Sequence, residues 1–597
     1  MNVMKKTESP PKARLTVRVG VTGHRPNGLN KADIGVLGDK VKEILKHVSD
    51  VAREVKSSFG SLYSDGGSPV LRVISPLAEG ADMLVAEEAL RAGYELQCAL
   101  PFDRNEYEKD FTDEAVLGKY RALLGNATSV LELDGSRATP DLENEAYQTV
   151  GRMVLAQSDV LIAIWDGEDA KGKGGTGQIV RESLISEIPV VWISSAAPHE
   201  VMVLMGGEYE GFREVGLREL ELRLKRVLKP EYPKKPDLSR AYFNEKQPTW
   251  TWGFVFEAFC DIFDGERIDI GGARVRDFEE ETAEEWRTVW DACPDFPQSV
   301  KEQINDKFLM HYTWADKLAN YYSNIYRSSF VANYLMAGLA VFFALLSTIP
   351  ESVLWEKLWV GCELVFIVLV LMITGIGIWK RWHERWIDYR LLSEQLRQLR
   401  FLAPLGLTTP AFSVPAHDTY GDPRSTWVNW HFRAIVREAG MVGARIDKQY
   451  LVSYRDFLSD QEITGQINYH RRNAPRFHRL HSILHIIGGG LFLLTFFAVL
   501  FHLIFNTYWL TVCSAVFPAL GAAFYGIRTQ GEFEQIAKRS EAMSAHLENL
   551  RDELDKVDFV PSYGLLGRIA ENTAEVMSSE TLDWRIVFQS KRLVLPG

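Results

Sequence analysis

From Leu480 to Ile527 the chain carries no Asp, Glu, Lys or Arg, and no other stretch limits its fold so tightly. As a helix it would be roughly 70 Å long at 1.5 Å per residue, about twice the ~30 Å hydrocarbon thickness of a bilayer, so it has to turn back. Phe505-Asn506-Thr507-Tyr508-Trp509 offers the polar break and the interfacial aromatics for that turn. Two spans are predicted, near 482–505 and 509–527. A second pair lies upstream, where Ser328–Pro350 is free of charge and Leu358–Trp379 carries only Glu363. An acid so near the outer end of a span reads as one that snorkels to the headgroups. The competing reading makes one of the two pairs a set of buried core helices in a water-soluble protein.

Basic residues cluster outside these runs: Lys317, Arg327, Lys380, Arg381 and Arg385 around the first pair, Arg471, Arg472, Arg476, Arg479 and Arg528 around the second. By the positive-inside rule both termini and the middle segment are cytoplasmic, which makes this a multi-pass protein of the inner (plasma) membrane. A mean hydropathy of −0.11 then places most of the mass outside the bilayer. The net charge of −12 argues against a nucleic-acid partner, because phosphate affinity comes mostly from clustered Lys and Arg. Cys98, Cys260, Cys293, Cys362 and Cys513 are too scattered for a disulfide framework or a zinc motif, and His417, His431 and His470 are not at ligand spacing, so no metal is expected. Behind Lys5 and Lys6 no apolar run follows, and no signal peptide is expected.

The first 200 residues read differently. Short apolar runs at 15–21, 70–75, 94–100, 129–133, 159–165 and 189–194 alternate with amphipathic stretches at 33–56, 80–92, 106–124, 142–157 and 176–186. That alternation means βαβ units and a mostly parallel sheet, with the ligand crevice at the carboxyl ends of the strands. The residues at those ends are informative. Gly20-Val21-Thr22-Gly23-His24-Arg25-Pro26 follows the first strand, a turn that presents a hydroxyl, an imidazole and a guanidinium. Ser75-Pro76-Leu77-Ala78-Glu79-Gly80-Ala81-Asp82 follows the second and opens a helix whose free N–H groups suit an anion. Asp166 and then Lys171-Gly172-Lys173-Gly174-Gly175-Thr176-Gly177-Gln178 follow the fifth, a glycine-rich loop fit to cradle phosphate. His24 is the best titrating candidate, although a loop histidine bonded to backbone reads equally well. Asp103 reads as an N-cap, with Glu106 completing a capping box.

These three loops resemble those of the SLOG superfamily, the Rossmann-like fold shared by the Smf/DprA DNA-processing proteins and the LOG phosphoribohydrolases. Ser75 with Gly80-Ala81-Asp82 is similar to the DprA-type serine and glycine loop, and Gly174-Gly175-Thr176 to the LOG-type PGGxGTxxE. The resemblance implies a nucleotide or nucleotide-derived ligand touching Gly23, Arg25, Ser75, Gly80, Gly174, Gly175 and Thr176. With the neighbouring polar groups, the candidate ligand-binding set is Thr22, Gly23, His24, Arg25, Ser75, Glu79, Gly80, Asp82, Asp166, Gly174, Gly175 and Thr176. Where LOG enzymes carry a glutamate, this chain has Gln178, which cannot take a proton, so hydrolysis would fall to Asp82 or Glu79.

The expected organisation is an α/β head at 1–200, a connector at 201–300, stalk helices and a first transmembrane hairpin at 301–402, a cytoplasmic loop with helices at 403–470, a second hairpin with stalks at 471–560 and a tail at 561–597. Near-heptad apolar residues predict that helices continue out of the spans, at Ile304–Ile325, Trp386–Leu399 and Ile536–Val557. The last of these is a coiled-coil-like seam, to be filled within the chain or by a second copy in a homo-oligomer. Trp584–Phe588 in the tail reads as a strand. The two hairpins share one plan of stalk, span, short loop, span and Arg-rich stalk, which suggests an internal duplication. The architecture resembles the SLATT class of two-span effector modules of bacterial conflict systems. The function these features imply is a membrane-anchored sensor or effector that binds a nucleotide-like ligand and signals to, or permeabilises, the bilayer. The alternative is a membrane-tethered LOG-like N-glycosidase.

Overall fold

The computed structural model describes residues 7–30, 32–168, 174–206, 213–229, 238–264, 273–349, 352–408, 426–505, 507–556, 561–589 and 593–596, with side chains of the last helix described to 579. Lys171, Gly172 and Lys173 of the third loop, Pro350, His417, Asn506 and Val557 lie outside the described residues.

The head runs β1 (Thr16–Gly23), α1 (Pro26–Leu29), α2 (Ile34–Phe59), β2 (Val70–Ser75), α3 (Ala81–Arg91), β3 (Glu95–Leu100), α4 (Arg104–Tyr107), α5 (Glu114–Gly125), β4 (Ser129–Glu132), α6 (Pro140–Ala156), β5 (Val160–Trp165), α7 (Thr176–Ile185), β6 (Val190–Ser194), β7 (Val201–Met205) and β8 (Arg213–Val215). Each predicted strand is present within a residue or two. The expected helix at 106–124 is instead split into α4 and α5, because Asp113 caps a new start by accepting from the N–H groups of Ala115 and Val116. Val-Leu-Ile-Ala-Ile of β5 is fully buried, as befits a central parallel strand covered on both faces.

The chain continues as α8 (Leu217–Leu228), α9 (Leu238–Phe243), α10 (Phe254–Asp264), α11 (Phe278–Asp291), α12 (Gln298–Ile304), α13 (Met310–Leu346), α14 (Val353–Trp379), α15 (Trp382–Leu402), α16 (Trp427–Ala439), β9 (Ala444–Arg445), α17 (Lys448–Asp456), α18 (Thr464–Phe505), α19 (Tyr508–Gly531), α20 (Phe533–Asp555) and α21 (Tyr563–Gln589). The sheet order is β8-β7-β6-β5-β1-β2-β3-β4-β9, parallel from β6 across to β9 and antiparallel only at β7 and β8. Two results follow. The sheet does not stop at residue 200, since β7 and β8 lie in the segment read as a connector. One edge is completed by β9, which pairs with β4 from the segment between the two groups of apolar helices.

Among the described residues, four helices are long and apolar enough to cross a membrane. They pack in pairs, α13 with α14 and α18 with α19, and α13 also contacts α19. Asn333 donates to Thr374 Oγ1 at 2.9 Å inside the first pair, and Gly526 leaves room for the Tyr334 ring between α19 and α13. Phe492 and Leu503 are 74% and 81% exposed, and such side chains ring these helices, a surface suited to lipid and costly in water.

The stalks form as expected from the near-heptad residues, with one refinement. A π-helical turn (Asn305–Leu309) precedes α13 and another (Phe457–Ile463) precedes α18, while a left-handed residue, Arg381 or Glu532, separates α14 from α15 and α19 from α20. The two helix pairs thus share even their irregular turns. Met543, Leu547 and Leu554 of the α20 seam are buried, and α20 packs against α18 and α21 of the same chain. The strand expected at Trp584–Phe588 is helix. Leu566, Ile569, Ala570, Thr573 and Met577 bury one face of α21, and an anchored helix extends more cheaply than a new strand can pair.

Candidate functional site

Along the chain the strands step outward from β1 to β4 and then return to β5 on the other side of β1. Adjacent loops therefore diverge between β1 and β5, the position where open α/β sheets hold ligands. His24 and Asp166 bridge that gap. The His24 Nε2 atom lies 3.0 Å from Asp166 Oδ1 and 3.2 Å from the Asp166 backbone nitrogen. Burial raises the Asp166 carboxyl, but the Glu168 N–H and the His24 ring outweigh it and hold it below the usual range.

The first two loops are locked together through backbone. Ala81 N–H donates to the His24 carbonyl at 3.1 Å, so that N–H of α3 is not free for an anion. Gly80 sits at φ +104°, and a Cβ there would lie 2.5 Å from the His24 oxygen. A Cβ at Gly23 would lie 2.4 Å from that of Ala81. These glycines serve close packing of loop on loop. Ser75 is likewise turned inward: its hydroxyl accepts from Leu77 N–H at 3.1 Å and donates to the Asp82 carbonyl at 3.4 Å.

The third loop joins them through α6. Gly174, at φ +80°, lies on the backbone of Tyr147 and Gln148, and Arg25 stacks over the Tyr147 ring at 5.1 Å. Gly174 N–H donates to the Gln178 side-chain oxygen at 2.9 Å, and the Gln178 amide donates to Glu182 at 2.9 Å. Gln178 is thus engaged in fastening its own loop. Gly175 N-caps α7 without a side-chain cap, so Thr176 and Gly177 begin a helix with outward N–H groups. Thr22, Glu79, Gly174, Gly175 and Thr176 are all half-buried along this rim.

Several groups that the sequence did not single out complete the site. Arg25 reaches Asp110 at 3.2 Å, Tyr147 donates to Asp110 at 2.6 Å, and Arg137 pairs with Asp110 and stacks on Phe102 at 4.2 Å. Arg137 stands in the loop after β4, and inspection of every strand's carboxyl end would have found it. Nearby, Asp82 is 5% exposed, and burial pushes its carboxyl up to about 7 against the pull of the Ala78 N–H and Arg25, while Oδ1 has no hydrogen-bond partner among the described residues. Arg137 also lines a cavity of about 630 Å³ whose other wall is Arg445 and Lys448, contributed by the segment that carries β9. Asp103 caps α4 by accepting from Asn105 N–H and pairs with Arg445 at 2.7 Å, whereas Glu106 pairs with Lys109 and Arg137. Among the described residues no cluster of three or more His, Cys, Asp or Glu is placed to hold a metal.

The amino ends of the same strands are closed by α16. Arg437 donates to Asp159 at 2.8 Å, Arg18 lies 3.6 Å from the same carboxylate, and Arg72 donates to the carbonyls of Arg437 and Glu438 at 2.6 and 3.1 Å. Gln97 accepts from Met441 N–H at 3.0 Å. No protein-family model matches the chain, and no curated protein matches it.

Proposed function

We propose that this protein is a membrane-anchored sensor: its α/β head binds a phosphorylated, nucleotide-like small molecule and passes that occupancy to paired membrane helices. One observation carries the reading. The loops after β1, β2 and β5 converge at a topological switch point, while both α16 and β9, which tie into that sheet, belong to the segment between the two helix pairs. A ligand that draws Arg25, Arg137 or Arg445 toward itself acts on groups connected to the membrane region. The resemblance of the three loops to the SLOG superfamily, and of the duplicated helix pairs to SLATT modules, agrees with this reading and with a role in bacterial defence. In this reading α13–α14 and α18–α19 are two transmembrane hairpins, the head and tail are cytoplasmic, and copies assemble in the inner membrane. To move the helices from nearly all closed to nearly all open, the ligand must prefer one state by ~10⁴-fold, about 5.5 kcal/mol, within reach of a multi-loop phosphate site.

Mass spectrometry of small molecules retained by the purified full-length protein tests the first half, with a phosphorylated nucleoside or sugar nucleotide expected. Dye release from liposomes carrying the protein, across ADP-ribose, NAD and cyclic nucleotides, tests the second. Liposomes that stay tight, together with protein that retains nothing, would defeat the proposal.

A second reading rests on Asp82. A buried carboxyl poised near neutrality beside a ligand crevice fits a proton-transfer role, as in a LOG-like N-glycosidase. Base release from a nucleoside monophosphate, abolished by Asp82→Asn, would favour it.

A further inference from the structure

The stalks enclose a cavity of about 280 Å³, separate from the head site. Helices α13 and α15 of the first repeat form one side, α18 and α20 of the second form the other, and α10 covers it. Five arginines line it: Arg327, Arg390, Arg397, Arg476 and Arg539.

Three of them have carboxylate partners. Arg390 and Arg397 both bind Glu394, at 2.5 and 2.6 Å, and Arg476 binds Asp264 at 2.6 Å and Asp261 at 3.1 Å. The other two have none among the described residues. Arg327 lies over the rings of Phe256 and Trp386, 5.3 Å from each centroid, an arrangement that shields the cation without neutralising it. On Arg539, and also on Arg397, Nη1 is buried with no hydrogen-bond partner among the described residues. Arg327 and Arg539 are half-buried, and a guanidinium drawn partly out of water without an acceptor is costly to leave unpaired. A tetrahedral oxyanion supplies several acceptors at once, and phosphate matches the guanidinium fork.

We propose that this cavity binds a phosphate-bearing anion, held by Arg327 and Arg539 with the free edge of Arg397, and thereby clasps the two repeats together. The volume of about 280 Å³ falls just below the ~300–1,000 Å³ range of ligand pockets, which favours a small phosphorylated molecule or a single lipid headgroup. Arg327 immediately precedes the charge-free run of α13, and Arg476 lies one turn before Leu480, so the upper end of the cavity is level with the start of the apolar helices. Both a headgroup and a soluble phosphate can reach such a place, and the experiment separates them.

Full-length protein in detergent is titrated with inorganic pyrophosphate at constant ionic strength while its melting midpoint is followed, and in parallel is placed in phosphatidylcholine nanodiscs with or without phosphatidylglycerol. A saturable rise in midpoint with pyrophosphate identifies a soluble ligand, and a rise only with phosphatidylglycerol identifies a lipid. Either response should weaken by roughly tenfold or more in half-saturation in Arg327→Gln and in Arg539→Gln, and should persist in the head variant Arg25→Gln. Without ligand the two cavity variants should melt no lower than the parent, since each removes an unpaired cation. Should Arg327→Gln fail to fold, Arg539→Gln, on the more peripheral α20, carries the test. No response to either probe, or a full response in the cavity variants, overturns the proposal.

Discussion

Asp82 stands both in the candidate ligand-binding set and as the proton-transfer group of the second reading, and its burial has a consequence for pH. Its carboxyl is pushed from an ordinary 3.8 to about 7 by burial, so between those values the folded protein holds a proton that the unfolded chain releases. Stability rises with pH where the unfolded state binds more protons; here the folded state binds more, and stability falls as pH rises from about 4 to about 7. Asp82→Asn, which cannot ionise, should flatten that part of the melting-midpoint profile, and a slope unchanged by the substitution would show that Asp82 is ionised when folded. Asp159 carries the opposite sign. Burial raises its carboxyl, but Arg437 and Arg18 outweigh it and hold it below the ordinary range, so its contribution is complete above that range and is lost as pH falls through its folded value. At Gly80, a side chain meets both a positive φ and the His24 carbonyl 2.5 Å away. Gly80→Ala should therefore displace the first two loops and abolish ligand retention while the membrane helices remain folded, checked by mass spectrometry and circular dichroism on one sample.

At the scale of elements, α16 and β9 matter most. Helix α16 brings Arg437 to Asp159, both nearly fully buried; removing one partner of such a pair costs up to about 3–5 kcal/mol, and less here because Arg18, 3.6 Å away, still faces the Asp159 carboxylate. Arg437→Met should lower the melting midpoint and expose the 426–445 segment to protease ahead of the membrane helices. An unchanged digestion pattern would show that the segment is held by its apolar residues alone. The α13–α19 contact depends on a small residue: at Gly526 a Cβ would lie 2.2 Å from the Tyr334 ring. Gly526→Leu should separate the two helix pairs and change dye release with or without ligand, while a Tyr334→Ala partner change restores the parent behaviour.

For the whole molecule, the sheet is a two-ended device. Its carboxyl end gathers the loops and Arg25, and its amino end is clamped by α16 from the segment between the helix pairs; the proposed function has occupancy at one end passed on through that segment. The topology that this requires is directly measurable. In a background lacking the five native cysteines, single cysteines at Ser352 and Thr507 should react with an impermeant maleimide from outside intact spheroplasts, and one at Ser136 in the head only after lysis. Labelling of Ser136→Cys from outside would invert the arrangement.

The apolar helices were determined by the sequence alone, because length and lack of charge are local properties that a bilayer reads directly. So were the first six strands of the head, most of the helices between them and the loops at their carboxyl ends, since periodicity and glycine placement are local too; β7 and β8 were not. What only the tertiary structure decided is which groups meet. Asp110 and Tyr147 come from separate elements to hold Arg25, and Arg137 pairs with the same Asp110; Gly23, Gly80 and Ser75 turn out to pack loop on loop; and two residues at 444–445 complete a sheet begun at Thr16. A two-residue strand has no periodicity of its own, and a buried arginine looks like a surface one until its neighbours are known. Those features arise from long-range pairing and desolvation, which no local pattern of residues encodes.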